Sequence, residues 1–81
     1  MWSSAEAIAV NAEEKMLLEQ LLSAGSTPQN IAFRIRIILG AAEGVSNSEL
    51  AGRLSTTRMT ILKWRQRFTE LGIEGILADA P

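Results

Sequence analysis

The sequence predicts a small all-α protein, a single-domain helical bundle, on three observations. Apolar residues recur at helical spacing in successive segments, and each segment opens on a residue type that caps helices. The 81 residues, 47% of them hydrophobic, suffice for one modest core but not for a large buried site with its own supporting shell. A charged fraction of 21% is ordinary for a folded chain and far from a disordered composition. No repeat, low-complexity tract or linker divides the chain.

Residues 1–10 carry no cap and no convincing amphipathic period, so they are expected to form a weakly specified arm ahead of a domain at 11–81. Asn11 followed by Glu14 is a capping-box-like start to a first helix reaching about Ala24, with Leu17, Leu18, Leu21 and Leu22 on one face. Gly25 is expected to supply the left-handed turn that ends it. Thr27 then caps a second helix whose first position is Pro28, where a missing amide costs nothing. Ile31, Ile35, Ile38, Leu39 and Ala42 form one stripe of that helix and Phe33, Ile37 and Ala41 another, so it is expected to sit centrally and end near Gly44.

Ser46 and Glu49 form an S-x-x-E capping box, opening a third helix of barely two turns with Leu50, Ala51 and Leu54 inward. After a tight connection at Ser55 and Thr56, Thr57 is placed to cap a fourth helix running to about Leu71. Beyond Gly72, residues 73–81 are expected to add at most one turn folded back on the core.

What the chain lacks narrows its chemistry. With no cysteine and no histidine, disulfides, thiolate chemistry, the usual zinc ligands and imidazole acid–base catalysis are all excluded. No nucleophile–base pair or phosphate-binding glycine loop stands out, so no enzyme activity, cofactor, metal or small-molecule ligand is expected. The apolar runs are too short to cross a bilayer and no leader-like start is present; no membrane association and a cytoplasmic, nucleoid-associated location are expected.

The formal net charge of −1 conceals a strong asymmetry. From Leu50 to Phe68 every charge is positive: Arg53, Arg58, Lys63, Arg65 and Arg67. Up to Glu19 the chain carries Glu6, Glu13, Glu14 and Glu19 against Lys15 alone.

The stretch from Ser46 to Phe68 therefore holds two capped helices separated by about three residues, with a small Ala51 where they would cross: helix-turn-helix geometry. On the second of them, Thr57, Ile61, Trp64, Phe68 and Leu71 cluster inward, leaving Arg58, Met59, Leu62, Lys63 and Gln66 outward. Such a motif places the start of its second helix in the major groove of duplex DNA. Arg58 suits a guanine edge, Gln66 an adenine, and Met59 or Leu62 a thymine methyl. Arg65 and Arg67 on the flanks, Arg53, and the amide ends at Ser46 and Thr57 are candidate phosphate contacts. Trp64 and Phe68 are assigned to packing, and Arg34 and Arg36 to solvated or locally paired roles.

Several segments together resemble a known family over about Asn11 to Pro81. They are Thr27-Pro28-Gln29, Arg34-Ile-Arg-Ile-Ile-Leu39, Glu43-Gly-Val-Ser-Asn-Ser-Glu-Leu-Ala51, Thr60-Ile-Leu-Lys-Trp-Arg-Gln-Arg-Phe68 and Gly72-Ile-Glu-Gly75. The family is the N-terminal helix-turn-helix domain of IS630-type transposases, relatives of the Tc1/mariner group. The resemblance implies a homeodomain-like three-helix core with an extra N-terminal helix, and recognition of the terminal inverted repeats of a mobile element. Ser55 stands where that family usually has glycine. The family's proteins also continue into a catalytic domain with acidic metal ligands. Asp79 is the only aspartate here, so no two-metal strand-transfer site can be assembled, and a fragment or free-standing relative is expected. The competing expectation is a protein-interaction or dimerisation module on the same scaffold, through Met59, Leu62 or a homodimer of the first helix.

Overall fold

Side-chain caps set where three of the helices begin in the computed structural model, which describes residues 8–77. The order is α1 (Ala12–Ser23), α2 (Gln29–Ala42), α3 (Asn47–Arg53), α4 (Arg58–Leu71) and α5 (Glu74–Leu77), with no strand among the described residues. At α1 the predicted box is complete. The Glu14 amide donates to Asn11 Oδ1 at 2.7 Å and the Asn11 amide to Glu14 Oε1 at 3.2 Å, so two otherwise orphaned donors are satisfied reciprocally. At α4 the Thr60 amide donates to Thr57 Oγ1 at 3.2 Å, as expected of a threonine cap.

Four local expectations need correction. Gly25 does not take a left-handed conformation; α1 ends at Ala24 in extended geometry, its amide donating to the Gln20 and Leu21 carbonyls. Thr27 does not cap α2, because its hydroxyl donates instead to the Leu21 carbonyl and ties the connection back to the end of α1. Pro28 stands at the N-cap of α2, one residue earlier than expected, without a side-chain cap bond. At α3 only half of the box forms. The Glu49 amide donates to Ser46 Oγ at 3.1 Å, but the Glu49 carboxylate turns forward to Arg53.

α2 and α3 end in the same way. Gly44 adopts φ 91°, its amide donating to Ala41 while that of Val45 donates to Gly40. Ser55 adopts φ 57°, its amide donating to Gly52 while that of Thr56 donates to Ala51. Both are Schellman motifs, in which a left-handed residue lets two amides reach back to helix-end carbonyls. The first uses a glycine, the second a serine.

The core runs along α2, whose Ile35, Ile37, Ile38 and Ala41 are fully buried, matching the two stripes read from the sequence. α2 packs against α1, α3, α4 and α5, so it is the central helix. Leu18 of α1, Leu50 and Ala51 of α3, Ile61, Trp64 and Phe68 of α4, and Ile76 of α5 complete the cluster. Ile8 and Val10 of the expected arm pack against it in irregular structure; residues 1–7 of that arm lie outside the described residues.

Two leucines expected inside are outside. α1 docks chiefly on α2, so only a narrow stripe is covered and Leu17 is left 40% exposed. At the end of α4, Leu71 is 61% exposed because the chain reverses at Gly72 and α5 returns along the helix at Gly75, beside the root of that side chain. The expected final turn is α5, which exists at 74–77; residues 78–81 lie outside the described residues.

Candidate nucleic-acid interface

α3 and α4 pack on each other and both pack on α2, the arrangement of a helix-turn-helix held by a third helix. The inward side of α4 is Ile61, Trp64 and Phe68, as the helical wheel required. Its outward side is open. Arg58, Met59, Leu62, Lys63 and Gln66 are all exposed, with Met59 at 80% and Leu62 at 48%. Thr57, grouped with the inward residues on the wheel, is exposed because its side chain turns onto the helix end as a cap.

The remaining candidates are not equivalent. Arg67 lies at the margin of the exposed face, half-buried, with its guanidinium 5.6 Å from the centre of the Trp64 ring. Lys63 places its ammonium 4.8 Å from the same ring while remaining exposed. Arg53 is exposed but bonded to Glu49 one turn earlier; an exposed pair of this kind contributes about 0.3–0.5 kcal/mol and yields readily to a phosphate. Gln66 is exposed, and its amide nitrogen donates to Glu70 Oε2 at 3.1 Å. Ser46 is exposed with its hydroxyl engaged at the start of α3.

Arg65 departs from the expectation of a flanking phosphate contact. It is half-buried, with Nη1 closed off from solvent, in a cleft of about 490 Å³ shared with Ile8, Glu14, Phe68 and Thr69. The guanidinium thus belongs to the side of α4 that meets the chain before α1. Its place in the sequence, between Trp64 and Arg67, gave no hint of this, because the covering segment comes from the far end of the chain.

Arg34 is the residue whose role the sequence conceals most. It is 8% exposed, stacked 4.1 Å from the Trp64 ring centre, and Nη1 donates to the Ile76 carbonyl at 3.2 Å. A solvated or locally paired role was expected; the side chain is instead buried and pairs with distant residues across three helices. Arg36, two residues on, is exposed. Glu70 is the other unanticipated member, a carboxylate on the exposed face of α4 one turn beyond Gln66. Among the described residues no group of three or more acidic, histidine or cysteine side chains is placed to hold a metal ion, and no helix is long and apolar enough to cross a membrane.

Fold and exposed face together define a helix-turn-helix domain whose second helix presents a cationic and apolar surface. Residues 34–77 match the family described as homeodomain-like domain, and the chain belongs to that family. The match takes in α3, α4 and α5 and most of α2. No curated protein and no solved structure matches the chain.

Proposed function

We propose that this chain is a sequence-specific duplex-DNA-binding module without catalytic activity of its own, with α4 as the helix that enters the major groove. Membership of the homeodomain-like family supports DNA as the partner. The observation that carries the reading is the division of α4. Trp64, Phe68 and Ile61 are taken up by the core, while Arg58, Met59, Leu62 and Lys63 stand in solvent within a stretch, Leu50 to Phe68, whose charges are all positive. Arg58, Lys63 and Arg67 are proposed to meet phosphates or guanine edges, with Arg53 released from Glu49 to join them. The resemblance to IS630-type transposases makes the terminal inverted repeat of a mobile element the proposed target, in a cytoplasmic, nucleoid-associated setting.

Gel shifts with a duplex pool across a salt series test this reading. If the cations of Arg53, Arg58, Lys63 and Arg67 each neutralise one phosphate, the logarithm of affinity falls against that of salt with a slope of roughly −3 to −4. Arg58→Ala and Lys63→Ala are each expected to weaken binding by about 1–3 kcal/mol without altering the fold, since both side chains are exposed. Salt-insensitive binding, or alanine variants that bind as the parent does, count against it. Recovery of genomic fragments other than mobile-element ends would remove the transposase part alone.

One observation favours a second reading, an interaction or dimerisation module: Met16 and Leu17 leave α1 with exposed apolar surface on an otherwise acidic helix. A stable dimer by sedimentation, combined with no affinity for duplex, would favour it over DNA binding.

A further inference from the structure

The exposed face of α4 is not uniformly basic, and the order of its side chains around the helix is informative. At 3.6 residues per turn, Met59, Leu62 and Gln66 fall within an arc of about 60°, with Arg58 at one margin and Lys63 and Arg67 at the other. The centre of the face is therefore two apolar side chains and an amide, and the cations border it. Cations at the margins suit the phosphate walls of a groove, but phosphates carry no sequence information. Beside any guanine edge that Arg58 reaches, the central strip is what reads the bases.

Met59 and Leu62 stand outside the core with their side chains in water, and the flanking positive charge suits an anionic surface as their cover. Within a major groove the one apolar group on a base edge is the 5-methyl of thymine. Gln66 gives one amide hydrogen to Glu70, which leaves its second hydrogen and Oε1 to pair with N7 and the N6 amino group of adenine. Both chemistries select the same base pair. Resting on the DNA-binding reading above, we infer that Met59, Leu62 and Gln66 are specificity-determining residues of α4 and that they select A·T pairs, through thymine methyls and the adenine N6/N7 edge.

The test begins with duplexes recovered by the intact chain from a pool with a randomised core. In a recovered duplex each thymine is replaced in turn by deoxyuridine, which removes the methyl alone, and each adenine by 7-deazaadenine, which removes N7. At least one deoxyuridine position is expected to lower affinity about 3- to 10-fold. Met59→Ala or Leu62→Ala should bind the unmodified duplex as weakly as the parent binds the deoxyuridine one, and be indifferent to the replacement. Gln66→Ala should be indifferent to one 7-deazaadenine position in the same way. All three side chains are exposed, so circular dichroism of the variants should match the parent.

Recovered duplexes without a required A·T pair, equal affinity for every deoxyuridine duplex, or modification penalties that persist in all three variants each overturn the inference while leaving DNA binding intact. If no duplex is recovered at any salt concentration, the DNA-binding reading itself fails, and this inference with it.

Discussion

Ser55 holds a left-handed backbone, φ 57°, that glycine adopts freely and a residue with a Cβ adopts at a cost of about 1–2 kcal/mol. The turn does not need a serine side chain, for it is fastened by the backbone bonds of Ser55 to Gly52 and Thr56 to Ala51. Ser55→Gly is therefore expected to raise stability by about 0.5–1 kcal/mol, the strain relieved less the extra chain entropy lost. A higher midpoint in urea at unchanged slope checks it; a lower midpoint would mean that the hydroxyl makes a contribution the backbone geometry does not account for. Arg34 is the opposite case, a side chain that cannot be spared. Truncation to alanine strands the buried Ile76 carbonyl and removes the stack on Trp64, a loss of about 3 kcal/mol from a hydrogen bond to a charged donor and a desolvated cation–π contact. Arg34→Lys should recover only part of this, because a point charge on a thinner stem does not replace a plane lying on the indole. Thermal melts of the two variants decide it, equal midpoints for alanine and parent being the adverse result.

Among the elements, α5 is short but closely fitted. A Cβ at Gly75 would lie 2.6 Å from the Arg67 carbonyl oxygen and 2.9 Å from Leu71 Cβ, so the helix is seated against backbone that cannot swing aside. Gly75→Ala is expected to cost about 1–2 kcal/mol, overpacking outweighing the better helix propensity of alanine. Faster hydrogen exchange at Ile76 and Leu77 than in α2 would locate the damage, whereas an alanine variant as stable as the parent would show that α5 has room to shift. The helices themselves were largely readable, since Asn11, Ser46 and Thr57 announce their starts and the isoleucines of α2 its central place. The errors fall at joints. Gly25 and Thr27 offered standard signals, yet the connection found another set of acceptors in the end of α1, and a turn's choice among competing carbonyls is decided by the relative placement of two helices. Leu17 and Leu71 have helical periodicity in their favour and lie outside for a similar reason: spacing identifies a face, while its width depends on how many neighbours arrive.

At the level of the whole molecule, the face proposed to read DNA could be drawn from the sequence because it lies on one continuous helix. Arg58, Met59, Leu62, Lys63 and Gln66 are all open as expected. The buried place of Arg34 and the sheltered one of Arg65 could not be drawn, since each depends on segments distant in the chain, Ile76 for one and Ile8 for the other. The Trp64 ring, bordered by the guanidinium of Arg34 and by Lys63 and Arg67 from the open face, gives the protein a built-in optical reporter. With Trp2→Phe leaving a single indole, its fluorescence should change as duplex draws Lys63 and Arg67 toward phosphate, and revert as salt releases them. Constant emission from a chain fully retained on duplex in a gel would mean that those two cations stay where they are while others carry the contact.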